Sequence, residues 1–356
     1  MKAWRIDGFG SPLDYRDVAV PDVRPGSVLV RIETSALMSY LKDYVEGRLK
    51  TYLPPKGAFT PGGNGFGVVE AVGRDVWHLK PGQKVLLSSH LVASDNVADK
   101  GQILIGITRF GGVGEVMQAD WPDGTLADYA LFPVSAVTPV DSLDHVPAEQ
   151  LSIVSRCVIP YGGLVRGRLA AGETIIINGI TGAYGTAAAL VALAMGAGRV
   201  IGAGRNTAKL EAIDSALGGR ITTVAMTGDI NTDTQALRAA AGGGAELAFD
   251  MVGQAGDANA TLAALGSLRR NGRLVLMGSM TASLPLNYLQ LMGNNLEVIG
   301  HFMYEADAHL KVLNLLRTGR LDLGPIKPDV YPMADLPVAM EAARLADSLT
   351  CVIARN

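Results

Sequence analysis

TIIINGITGAYGTAAALVALAMG, residues 174–196, decides the fold. Four β-branched residues, Thr174 to Ile177, and Asn178 run into a glycine-rich turn, Gly179-Ile180-Thr181-Gly182-Ala183-Tyr184-Gly185, which opens into an Ala/Leu-rich helical stretch. Gly182 would let the backbone approach a pyrophosphate, and Gly185 would let the helix pack on the strand. The free N–H groups at the helix start would favour an anion. A tight turn that binds nothing is the competing reading, and the flanking strand and helix argue against it.

Working outward, β-branched runs alternate with helical ones: Val200 to Gly204, Ile221 to Val224, Ala245 to Met251, Arg273 to Gly278 and Leu296 to Gly300. That alternation predicts a Rossmann-type, doubly wound parallel sheet with helices on both faces. The apolar stretch 186–198 is shorter than the roughly 20 residues of a spanning helix and reads as a buried one.

Before residue 131 the texture differs. Short strand-like runs (Ser27 to Glu33, Val68 to Val72, Lys84 to Leu87, Ala127 to Phe132) are broken by Pro and Gly, which predicts a β-rich domain. Residues 88–122 carry glycines at 111, 112 and 114 and read as one long loop, functional or mobile. After His301, helices over 306–318 and 337–346 flank a Pro-punctuated strand-like segment, read as returning to the first domain. The expected division is therefore 1–154 with 301–356, and 155–300.

A chain of 356 residues with 48% apolar content and positive mean hydropathy has room for two cores. A formal charge of −3 argues against nucleic acid or an anionic membrane as partner, which leaves a small-molecule substrate. The opening MKAWRIDGFG has no apolar core of a signal peptide. Two cysteines, Cys157 and Cys351, can build neither a disulfide framework nor a four-thiolate zinc site, so a reducing cytoplasm fits.

The tip of the second parallel strand reads Gly204-Arg205-Asn206. NAD-binding folds place a carboxylate there for the ribose hydroxyls, and here the nearest is Glu211, inside the next helix. Arg205 instead offers a planar cation suited to a 2′-phosphate, with Lys209 one turn on, so the expected cofactor is NADP(H). A solvated surface arginine is the alternative. The ends of FDMVGQ (249–254) and LVLMGSM (274–280) put Val252, Gly253, Gly278 and Ser279 at the same sheet edge, near a nicotinamide ribose.

With PGGNGFGVVEAVG (61–73), LKPGQKV (79–85), GTLADYALFP (124–133) and the 179–185 turn, the chain resembles the medium-chain dehydrogenase/reductase superfamily along essentially its whole length. The resemblance implies an N-terminal GroES-like catalytic domain completed by the C-terminal segment, and a homodimer; the apolar segment 284–298, with an edge strand to follow, is where sheet-to-sheet pairing could occur. Zinc-dependent members carry His and Glu where this chain has Gly63 and Asn64. Their other two ligands fall on Met38 and near Ser155, and no metal is expected. The resemblance so narrowed points to the zinc-free, quinone oxidoreductase-like or enoyl reductase-like branch. Two polar groups common in that branch fall on Met38 and Ile159.

Hydride transfer to an enone or quinone gives a delocalised anion that one or two hydrogen-bond donors can stabilise, whereas an isolated ketone gives a localised alkoxide. The first expectation is therefore NADPH-dependent reduction of an activated C=C or a quinone. A metal-free alcohol dehydrogenase or carbonyl reductase is the alternative, and an NADPH-binding protein without activity the second. Tyr40, Lys42 and Tyr44 are the candidate catalytic groups, Tyr40 first, with Tyr52 nearby. Amphipathic packing is the competing reading for each tyrosine. His78, His90 and His301 read as structural.

Overall fold

A computed structural model describes residues 1–94 and 96–356. Asp95, inside the segment read as a loop, lies outside the described residues. Pro and Gly keep the N-terminal strands short. β1 (Lys2–Arg5) and β2 (Asp14–Asp17) pair with each other. β3 (Ser27–Ala36) is followed by helix α1 (Leu41–Val45), β4 (Gly65–Val72) and β5 (Lys84–Leu87). Val28, Val30 and Ile32 of β3 bury against Val69, Val85 and Phe132.

Residues 88–122 are not one loop. They form an antiparallel three-stranded sheet, β6 (His90–Val92), β7 (Gln102–Leu104) and β8 (Thr108–Phe110), and helix α2 (Val113–Asp120). Leu91, Ile103 and Ile105 join the core of the β3–β5 sheet, and Arg109 N–H donates to Leu53 O at 3.1 Å. Strands of three residues carry too little alternation to be read from sequence. β9 (Tyr129–Pro133), β10 (Val137–Pro139) and helix α3 (Ala148–Ser152) complete the N-terminal part.

Helix α4 (Val154–Arg166) leads into an α/β series: β11 (Thr174–Asn178), α5 (Ala183–Ala194), β12 (Arg199–Gly204), α6 (Thr207–Ala216), β13 (Thr222–Ala225), α7 (Ile230–Ala240), β14 (Ala245–Asp250), α8 (Asn259–Gly266), β15 (Leu268–Leu276), α9 (Tyr288–Asn294), β16 (Glu297–Gly300) and α10 (Ala308–Arg317). All six strands run parallel in the order β13-β12-β11-β14-β15-β16. This is the doubly wound order, reversing direction between β11 and β14. β15 starts earlier than read, because a bulge between Ala245 and Leu247 lets Leu268 join the ladder.

The chain then returns. β17 (Lys327–Pro332), α11 (Leu336–Leu345) and β18 (Thr350–Arg355) follow, with β18 antiparallel to β3 and parallel to β17. The N-terminal sheet therefore reads β10-β5-β4-β3-β18-β17, with β9 also on β3. Two compact units result: 1–155 with 327–346 and 350–356, and 156–326 with 347–349. The return starts at Lys327 rather than His301. Residues 301–326 stay with the parallel-sheet unit because His301 N–H donates to Leu276 O at 3.1 Å and the Met303 carbonyl packs on Gly162 of α4. Among the described residues, no helix is long and apolar enough to cross a membrane.

Candidate active site

The β11–α5 turn is built by close approaches that only glycine permits. Gly179 holds φ +81°, and a Cβ on Gly185 would overlap the Gly179 carbonyl oxygen. A Cβ on Gly182 would meet only Gly179 O, at 3.4 Å, so Gly182 presents its backbone outward. It is the N-cap of α5, and no side chain caps that helix end. The first amides and the positive end of the helix dipole there could take an anion.

This turn floors a crevice of 260 Å³ within the parallel-sheet unit. Gly179, Thr181, Gly182, Gly204, Arg205, Val252 and Gly253 line it. Thr181 can lie across Gly204 because that residue has no Cβ, which would sit 2.7 Å from Thr181 Cγ2. The strand ends are tied beneath it: Asn178 Nδ2 donates to Asp250 Oδ2 at 3.1 Å, and Val252 N–H donates to Asp250 Oδ1 at 2.8 Å. Burial raises the Asp250 pKa, and these hydrogen bonds act against it.

The remaining sequence-predicted residues stand beside the crevice rather than in its wall. Ala183, Tyr184 and Gly185 belong to the first turn of α5. Asn206 caps α6, its side chain accepting from Lys209 N–H at 3.0 Å, and both residues are exposed. Gly278 packs on the Val252 carbonyl, and Ser279 Oγ lies 3.4 Å from where a Gly253 Cβ would be. Sequence reasoning missed Met226, Gly228 and Asp233 in the lining. The Asp233 carboxylate accepts from the amides of Thr227 and Gly228, at 2.7 and 2.9 Å, and so shapes the loop after β13. The one hint was Thr-Gly-Asp after a strand, a common turn composition.

In the N-terminal unit the three candidate catalytic residues separate. Tyr44 is fully buried between Phe9 and Tyr52, and its hydroxyl donates to Ile107 O at 2.5 Å. Burial pushes its pKa far above the phenol range, which makes it a packing residue. Lys42, half-buried, faces Glu46 at 3.6 Å and Glu341 at 3.7 Å. Tyr40, half-buried at the N-cap of α1, hydrogen-bonds to Tyr52, whose pKa burial raises. Tyr40 and Tyr52 thus form a phenol pair. Of the histidines, His90 Nε2 meets Gln102 Oε1 at 3.1 Å, across β6 and β7.

Among the described residues, no group of three or more His, Cys, Asp or Glu side chains could hold a metal ion. At the four positions where the resemblance puts zinc ligands, Met38 offers a thioether and Gly63 no side chain. Asn64 Oδ1 accepts from Ser89 N–H at 3.2 Å, and Ser155 Oγ donates to Ser152 O at 2.7 Å. Zinc sites use thiolate, imidazole or carboxylate donors, so these residues do not fit zinc. The crevice over the β11–α5 turn does fit a dinucleotide.

Two family models match the chain, one described as "Zinc-binding dehydrogenase" over residues 183–318, the other as "Alcohol dehydrogenase GroES-like domain" over residues 24–142. The sorbitol dehydrogenase of Bacillus subtilis (strain 168) is 27% identical over 332 residues, 91% of this chain and 88% of its own. A thermostable alcohol dehydrogenase from Pyrobaculum aerophilum superposes with a TM-score of 0.78 at 22% identity, covering 100% of this chain and 99% of that one. A protein of Sinorhizobium meliloti 1021 solved bound to NADP gives a TM-score of 0.78 at 18% identity over 100% and 99%. These matches do not support the quinone oxidoreductase-like branch: the relatives are named for alcohols and polyols, and the family description is of the zinc type. The misassignment came from using missing zinc ligands to choose a branch, when ligands can be lost within any branch. The GroES-like sheet, the six parallel strands and the family matches together make the chain an oxidoreductase of the medium-chain dehydrogenase/reductase type.

Proposed function

We propose that the protein is an NADP(H)-dependent alcohol dehydrogenase or carbonyl reductase that uses side-chain hydroxyls in place of a metal. The crevice carries this reading: a helix N-terminus without a side-chain cap, a glycine floor, and Arg205 at the tip of β12, where the sequence Gly204-Arg205-Asn206 carries no carboxylate. NADP(H) supplies or accepts the hydride when bound. The first amides of α5 would take the pyrophosphate, Arg205 with Lys209 the 2′-phosphate, and Val252, Gly253, Gly278 and Ser279 the nicotinamide ribose. Relatives named for sorbitol and alcohols, and a fold neighbour bound to NADP, support it.

In this reading Tyr40 gives a proton to, or takes one from, the substrate oxygen, with Tyr52 holding its hydroxyl. Donor chemistry favours a second reading, reduction of an enone or quinone, because a delocalised anion needs only such hydrogen bonds. Steady-state assays with chelator present separate the two. NADPH oxidation by saturated ketones and NADP+ reduction by secondary alcohols are expected, and turnover confined to enones or quinones would replace the first reading with the second.

We also propose a homodimer through residues 284–298. α9 buries none of its residues, with Tyr288 77%, Leu289 70% and Met292 57% exposed, and β16 is one of the sheet's two edge strands.

A further inference from the structure

Gly63, one of the four positions of the family's zinc ligands, lies in a tightly filled part of the N-terminal unit. A Cβ on Gly63 would stand 2.5 Å from Ser89 Cβ and 2.9 Å from Ile107 Cδ1. Ser89 Cβ is fixed to the backbone, and the Ile107 Cδ1 methyl, though a side-chain end, is buried. Ser89 is 2% exposed, its N–H held by Asn64 Oδ1 and its carbonyl accepting from Ile105 N–H at 2.8 Å. Ile107, equally buried, has its carbonyl tied to the Tyr44 hydroxyl.

The other side of the Gly62-Gly63 segment is closed as well. Gly62 has φ +94°, and its Cβ would lie 2.8 Å from Leu126 Cγ. Its carbonyl oxygen presses on the Cα positions of Gly106 and Gly124, where any Cβ would overlap it. Segments 62–63, 106–107 and 124–126 are therefore packed backbone on backbone, and Thr125 Oγ1 reaches Asn64 O at 3.5 Å.

We infer that the chain has closed off the position-63 arm of the family's zinc site: the Ser89 and Ile107 side chains fill the space of the missing position-63 side chain, and Gly63 is required by that packing. Zinc needs about four anionic or imidazole donors at roughly 2.0–2.3 Å. The donors left here are a thioether, a carboxamide oxygen already accepting and a hydroxyl already donating. Restoring histidine at position 63 would require β5, β6 and the 105–108 turn to move, which a close-packed interior resists. The four ligand positions lie outside residues 183–318, the span that matches the zinc-binding description, so that match carries no metal site of its own here. The inference concerns this wall alone and does not depend on which substrate is reduced.

Full-length protein is incubated with Zn2+ or Co2+ and desalted. Bound metal is then measured by elemental analysis and by the visible absorption of tetrahedral Co2+, for wild type and Gly63→His. Melting temperatures of Gly63→Ala and Gly112→Ala are compared, since a Cβ on the exposed Gly112 meets nothing within 4 Å. Metal well below one per chain, no Co2+ bands in either protein, and a Tm fall of about 5 °C for Gly63→Ala against little change for Gly112→Ala are expected. One retained metal per chain with tetrahedral bands, or Gly63→Ala as stable as Gly112→Ala, would overturn the inference. Metal-free protein that turns over no ketone or alcohol leaves it standing and removes the functional reading above. Turnover that needs retained zinc would overturn both.

Discussion

Tyr40 and Tyr44 stand four residues apart and end in opposite chemical situations. Tyr44 spends its hydroxyl on the Ile107 carbonyl inside the core, whereas Tyr40 shares its own with Tyr52 at a half-buried position. Tyr44→Phe leaves a buried carbonyl unsatisfied, so it is expected to cost about 1–3 kcal/mol in denaturant unfolding and to leave kcat within about twofold. Tyr40→Phe is expected to lower kcat by roughly 10²-fold with NADPH affinity unchanged, and equal kcat values for the two variants would remove Tyr40 as the proton donor. The sequence placed both tyrosines near the chemistry but could not separate them. The group that fixes Tyr44 is a backbone oxygen 63 positions away, in a segment without readable periodicity. Gly179, Gly182 and Gly185 were legible because their roles depend on neighbours in the same turn.

At the scale of elements, the long β-branched runs of the parallel sheet were legible, since strands covered on both faces read as continuous apolar stretches. The three-residue strands β6 to β8 were not, and neither was the start of the C-terminal return, which depends on Met303 packing against Gly162. Helix α10 carries a second consequence of burial. His309 is buried beside Tyr304, and its pKa is pushed down to about 4. The unfolded chain takes up this proton below about pH 6.5 and the folded chain does not until about pH 4. Stability is therefore lost as pH falls through that window, by on the order of 3 kcal/mol. His309→Phe is expected to flatten the decline of Tm between those pH values, and an unchanged slope would contradict this. For the proposed dimer, Leu289→Asp is expected to leave a monomer in sedimentation velocity, and an unaltered sedimentation coefficient would place the contact elsewhere.

For the whole molecule, the two units differ in how they were written into the sequence. The parallel-sheet unit is specified by local runs and one turn, and its crevice followed from them. The N-terminal unit is specified by distant backbone approaches such as Gly62 on Gly106 and Gly124, which no local pattern reveals. Family resemblance supplied the zinc-ligand positions, and only packing shows what occupies them. The reading of function rests on dinucleotide phosphates binding at the start of α5 and beside Arg205. Titration of full-length protein with NADPH and NADH, with Arg205→Ala in parallel, tests this most directly. NADPH is expected to bind roughly 10- to 100-fold more tightly than NADH, with the preference lost in Arg205→Ala, as removal of a charge-assisted phosphate contact requires. Failure to bind either dinucleotide, or a preference for NADPH that survives Arg205→Ala, would contradict it.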